Sequence, residues 1–597
     1  MHGVLSLREA RRVVGLGVAP AGRRANRGRY EINQKVIMAA PTPESFDIAM
    51  RMADRCAAVA VMSVAMASRT GRPGDLNYRA FHVAAQINGL APNQRNLISN
   101  VTKVLPGLTN AQRERLGFMR PVRSNGLYDV VRRYLDRLTA VLDEGVVIPH
   151  SLSFGFGTLL PETYRRKSDG SANWGVPEGY LDGSGACTEP LVLVHSDWHL
   201  HATTVSGIDP TLPISGAVAV DGTEFETSAR LHGPNRDVDL DGEIEYDPET
   251  TGAMRTRGAR PLGIGPDDRK VYTLDFDSRS GYRTVTNGRS GGRYTGYEVH
   301  LAVQVPALRW TNYVDQVTLG PAVPGFIVNA TMTPAGSHRA NAIIPALLGS
   351  KAAGQELKEV IADPGYSLCS METYHLPLRL AGISVLHKPM THQRGIRPTV
   401  DGAVLCDDTL LHPATPRNLL ASRSARSAGS APLPYAPPGS DEATRRQYEQ
   451  PFNQRALWRL RLNRTDSDGT AWFTCPFCEG ALSATSLTVH SGRTPGPRAV
   501  PVSGHVAHLS RCCNGQIRLA AEELGRWQKI PAGTTAHWKA YHARRQQVEN
   551  ANSALKSSMT QLDKKHTLVF GLSKRRTLLG FTLAAYNYNV GAAHQAR

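Results

Sequence analysis

The sequence predicts a mixed α/β fold: a sheet flanked by helices, with a helical domain ahead of it and a large insertion before its last helices. Three observations lead there. First, residues 217–220 and 359–362 are short runs apolar on both faces, the pattern of central strands, and they stop at acidic residues, Asp221 and Asp363. Second, residues 297–305 and 325–333 read as two further strands and 337–348 as a helix, so the order is strands, helix, a strand ending in Asp, then one more strand at 383–387. Third, read as a helix, residues 538–556 bring Tyr541, Arg545, Glu549, Asn552 and Lys556 close to whole turns of one another, so a single polar stripe carries a carboxylate between two cations. At 597 residues the chain exceeds the usual size of one hydrophobic core, which requires several domains or one domain interrupted by an insertion.

Taken in order, residues 1–40 hold Arg8, Arg11, Arg12, Arg23, Arg24, Arg27 and Arg29 without an apolar core and cleavage site, and read as a disordered basic arm or as an extension upstream of a start at Met38. Residues 41–150 have helical periodicity broken at 71–74, Pro92 and Pro106. Their clearest helix starts at a Ser124 cap and collects Leu127, Val131, Leu135, Leu138 and Leu142 on one side. Such a region is either a DNA-binding domain or a helical bundle with a solvated basic face. Residues 155–185 are turn-rich and read as a connection.

The sheet's first part is expected within 185–390. It opens on LVLVHSDWHLH, where His195, Asp197, His199 and His201 alternate along an expected strand and would share a face, which makes a zinc or His/Asp metallohydrolase an alternative reading. A polar, Gly-rich excursion follows from 230 to 292. Residues 391–535 read as an insertion containing an irregular Ser, Ala, Pro and Arg-rich linker at 415–439. In it, Cys475 and Cys478 form a CxxC, and His508, Cys512 and Cys513 follow; thiolates and imidazole in this arrangement suit a structural Zn2+, with ordinary reduced cysteines as the other reading. Residues 536–597 return to the sheet with the Glu549 helix and a final segment at 572–589, basic and then apolar.

Lys and Arg number 69 against 51 Asp and Glu, a formal net charge of +18, which favours a polyanionic partner such as DNA. No run approaches the roughly 20 apolar residues of a membrane span. Eight unevenly placed cysteines do not make a disulfide framework, so a reducing, cytoplasmic setting is expected.

Three carboxylates far apart in sequence can converge if two end adjacent strands and one projects from a helix packed on them. Such a cluster attracts divalent hard cations, because the carboxylates otherwise repel one another. AVAVDGTEF with Asp221, EVIADPGYS with Asp363 and the helix bearing Arg545, Glu549 and Lys556 resemble the DDE transposases of bacterial insertion sequences, those with the YREK signature. YTGYEVHLAV and VNATMTPAGSHRANAI, with His338, are similar to the segments between the two aspartates in that family.

The resemblance implies an RNase H-like core and Mg2+ (or Mn2+) held by Asp221, Asp363 and Glu549. It also implies a grip on the phosphates of the transposon end by an arginine, Lys556 and Tyr541, and a homodimer holding two ends near the nucleoid. The spacing leaves the arginine open: Arg545 keeps the distance to Glu549, whereas Arg544 keeps the distance to Tyr541. Glu224, Asp275, Asp277 and Glu298 are further acidic candidates. A catalytically inactive DNA-binding remnant of a mobile element is a third reading.

Overall fold

The computed structural model describes residues 41–597 apart from 68–75, 92–97, 119–125, 161–189, 230–261, 284–291, 310–317, 353, 398–402, 414, 421, 424–429, 432, 438, 477–515, 531–537, 539–540 and 557–567. The basic arm, the breaks at 71–74 and Pro92, the Ser124 cap, most of the 155–185 connection and much of the 230–292 excursion therefore lie outside the described residues.

The expected mixed α/β layer is present. Its strands are β1 (Ala217–Glu226), β2 (Arg279–Arg283), β3 (Gly292–Val305), β4 (Ile327–Pro334), β5 (Glu359–Ala362) and β6 (Ser384–His387). They lie in the order β4-β3-β1-β5-β6, with β2 alongside β3. β1, β3 and β4 pair antiparallel, while β5 runs parallel to both β1 and β6. The change of direction needs a crossover, and helix Arg339–Ala352 provides it by carrying the chain from β4 to β5.

Side chains alternate across this sheet as the pleat requires. Ala217, Ala219 and Phe225 of β1, Val299 and Leu301 of β3 and Ile361 of β5 face a core closed by Val548, Ala551 and Leu555 and by Leu579 and Leu583. Val218, Val220, Ala302, Val360 and Ala362 face the opposite core, which is closed by Ile343, Leu347 and Tyr366. Helices Gln546–Ala554 and Leu572–Gln595 thus cover one face, and Arg339–Ala352 the other.

The N-terminal helices, from Pro43–Arg55 to Leu127–Glu144, do not keep a core to themselves. Their Phe46, Met62, Phe81, Leu135 and Leu138 pack in one cluster with Val192, Val194 and Trp198 and with Leu578 and Phe581 of the last helix. Helix Leu127–Glu144 starts at Gly126, whose φ of 81° suits a glycine.

Three expectations are corrected. The stretch from 191 to 201 is not one strand: strand Leu191–Val194 gives way to helix Ser196–Val205. A helix disperses residues that alternate in sequence, so His195, Asp197, His199 and His201 do not share a face; His199 and His201 are fully buried instead.

The stretch from 538 to 556 is not one straight helix. A 3-10 turn at Ala543–Arg545 precedes helix Gln546–Ala554. Three residues per turn instead of 3.6 rotate what lies before the turn off the stripe, and Tyr541 is buried in the core. The 415–439 stretch is not irregular throughout, because helix Arg417–Leu420 buries Leu419 and Leu420, and Ser422–Arg423 pairs with Ser430–Ala431.

The rest of the insertion builds its own core from Ala403, Leu410, Leu460, Phe473 and Leu519. It is tied to the main sheet where Asp408 accepts from His387, the last residue of β6, at 3.0 Å. Among the described residues, no helix is long and apolar enough to cross a membrane.

Candidate active site

Strand register brings the two aspartates together. Val220 of β1 stands opposite Ala362 of β5 on parallel neighbours, so Asp221 and Asp363 come next at the same level. Each lies two residues beyond a side chain of the face covered by helix Gln546–Ala554, namely Ala219 and Ile361, and that helix carries Glu549.

Contacts from the helix confirm the approach. Asn552 donates to Asp221 Oδ2 at 3.1 Å, and Arg545 reaches Asp363 Oδ1 at 3.2 Å while its other terminal nitrogen pairs with Glu549 Oε1. Asp363 also caps the short helix Pro364–Ser367, accepting from the Gly365 amide at 2.9 Å, which fixes its carboxylate at the strand end. The Asp221 carboxyl is pushed up to about 6, chiefly by burial and then by the charge of Asp363, with Arg545 and Arg339 acting in the opposite sense.

Arg339 supports this group from the crossover helix. Its Nε lies 3.2 Å from buried Glu298, its Nη1 lies 4.0 Å from Asp363, and its guanidinium stacks 5.7 Å from the Tyr366 ring centre. Burial raises Glu298 and pushes His300, which lies beside the Tyr366 hydroxyl, down to about 3, leaving it neutral. Gly222 lets this layer close, since a Cβ there would stand 2.7 Å from Glu298 Oε1.

The cations of the 538–556 stretch divide by role. Arg544 is buried, holding Glu359 through two bonds of 2.8 and 2.7 Å and the carbonyls of Pro306 and Tyr541. Of the two arginines, Arg545 pairs with Asp363 and Glu549, whereas Arg544 pairs with Glu359. Lys556 pairs with Glu224 at 2.9 Å. Asp275 and Asp277 accept from the Gly571 and Leu572 amides and so anchor the start of the last helix, away from the three carboxylates.

Among the described residues, no three His, Cys, Asp or Glu side chains stand together as a ready-made metal group. The donor set nevertheless suits a hard cation. Asp221 and Asp363 stand at one level, Glu549 is linked to Asp363 through Arg545, burial and then the charge of Asp363 raise Asp221, and among the described residues Asn552 Oδ1 is buried beside Asp221 without a hydrogen-bond partner. Cys475 is buried, while Cys478, His508, Cys512 and Cys513 lie outside the described residues.

Compared with known proteins, the chain matches no family model, no curated protein and no solved structure. Arg339, Tyr366 and His300 were not singled out from the sequence. Only Tyr366 had a local signal, its place in DPGY directly after β5.

Proposed function

We propose that the chain is a DDE transposase with an RNase H-like core, cutting DNA at the ends of its own element and joining them to target DNA. The observation that carries this reading is the placement of Asp221 and Asp363 level on neighbouring parallel strands, with Glu549 on the helix packed over the same face. The antiparallel β4-β3-β1 half joined to the parallel β5-β6 half supports the fold assignment. In this reading Asp221, Asp363 and Glu549 hold Mg2+ or Mn2+. The cations, when bound, would activate the attacking oxygen and stabilise the leaving one. Asn552 orients Asp221, Arg339 steadies Asp363 from beneath, and Arg545 and Lys556 meet the phosphates of the element end. Two chains, each holding one end, form the working complex.

The test is nicking of a labelled duplex carrying the element's terminal sequence, with and without magnesium, beside a gel-shift titration. Asp221→Asn, Asp363→Asn and Glu549→Gln are each expected to lower cleavage by about a thousandfold or more, a double change being little worse, while binding holds. Unchanged cleavage by Glu549→Gln would remove the third carboxylate from the reading. Tight end binding without any cleavage by the unaltered chain would favour the inactive remnant.

A further inference from the structure

Arg545 occupies an unusual position for a residue meant to hold DNA. One guanidinium pairs at once with Asp363 Oδ1, at 3.2 Å, and with Glu549 Oε1, so it occupies two of the three carboxylates that would hold a divalent cation. Its charge is also felt at Asp221. The adjacent Arg544 is pinned by four hydrogen bonds, whereas Arg545 keeps 20% of its side chain exposed and, among the described residues, pairs with these two carboxylates alone.

Resting on the transposase reading, we propose that Arg545 is a latch: it neutralises Asp363 and Glu549 in the free protein, and a DNA phosphate draws it away, so that DNA and divalent-cation binding strengthen one another. The physical basis is exchange of counterions. A cation entering between Asp363 and Glu549 must displace the guanidinium, which costs the ion pairs that it makes. A phosphate offers that guanidinium an equivalent bidentate partner. The carboxylates are then left with uncompensated like charge, and their demand for a metal rises. By linkage, whatever factor DNA adds to metal affinity, metal adds to DNA affinity. The free protein therefore keeps a weak metal site, and the site becomes strong only when substrate is present.

The experiment counts free Mn2+ by electron paramagnetic resonance during titration of the full chain, with and without a saturating random-sequence duplex, the uptake by duplex alone being subtracted. Without DNA, Arg545→Gln is expected to bind Mn2+ about tenfold more tightly than the unaltered chain and to gain little when duplex is added. The unaltered chain should gain about that factor from duplex. Arg446→Gln removes one charge from an exposed ion pair in the insertion and should leave Mn2+ binding as it is, which separates a local latch from a change in net charge.

Equal or weaker Mn2+ binding by Arg545→Gln without DNA would overturn the latch. If Asp221→Asn and Asp363→Asn leave Mn2+ uptake unaltered, the carboxylate site itself fails and the transposase reading with it. If they abolish uptake while Arg545→Gln changes nothing, only the latch fails.

Discussion

At the scale of single residues, Asp221 ties stability to pH. Its folded pKa, about 6, lies above its ordinary value of 3.8, so between those limits the folded chain keeps a proton that the unfolded chain has lost. The stability that this proton contributes is present at low pH and disappears as pH rises through that window, about 2 to 3 kcal/mol in all. Metal-free Asp221→Asn is expected to melt a few degrees above the parent at pH 8 and together with it at pH 4, measured by circular dichroism. Asp221 and Asp363 were legible because each follows a short apolar run, although β1 does not end at Asp221 as expected but continues to Glu226, paired with β3. The separate roles of Arg544 and Arg545 were not. One residue's difference in spacing separates a buried pair with Glu359 from a half-buried pair with Asp363 and Glu549, and the 3-10 turn sets the two apart.

At the scale of elements, strands were easier to read than helices. β1 and β5 contain short apolar runs, β3 and β4 interleave apolar with polar residues, and all four appear where strands were expected. LVLVHSDWHLH misled because a helix buried on every side has no polar stripe, so its histidines looked like one face of a strand. Just past the end of that helix the chain meets the last helix at very short range: a Cβ on Gly207 would lie 2.0 Å from the Ala584 carbonyl oxygen. Gly207→Ala is therefore expected to force the two helices apart and cost about 1 to 3 kcal/mol or more, read as a lower midpoint in urea. Gly89→Ala, whose Cβ would meet the Phe581 carbonyl at 3.0 Å, should be milder. The same packing alters how DNA recognition by the N-terminal helices can be tested. Removing them would strip Leu578 and Phe581 of their partners, so substitutions of exposed Arg132 and Arg133 are the sound probe.

At the scale of the whole molecule, the shared core is built around buried imidazoles. His82, His199 and His201 are each pushed down to about 3 by burial, below the ordinary 6.5. For these groups the unfolded chain takes up protons first, so the stability they carry is present above about pH 6.5 and is lost as pH falls. At pH 5 that amounts to at most about 2 kcal/mol each, together a large share of a typical total. Acid unfolding is expected to begin near pH 5 and to be delayed in His82→Gln, measured by tryptophan fluorescence, since Trp198 lies in that cluster. The mixed α/β class and most of the sheet's strands were readable from periodicity, but β2, inside the 230–292 excursion, was not. The sharing of one core by both ends of the chain was not, because no local pattern reports which distant apolar faces will meet. That sharing also gives the molecule a timetable. Asn552 and its partner Asp221 are 331 positions apart, and at roughly 5–20 residues per second a ribosome needs about 20 s to a minute to connect them. Through that interval the first helices wait for the last helix to complete their core, and the nascent chain carries first Asp221 alone and then Asp221 with Asp363, without the helix that bears Glu549. On the proposed reading, a copy that ends before residue 549 lacks one of the carboxylates that cleavage needs.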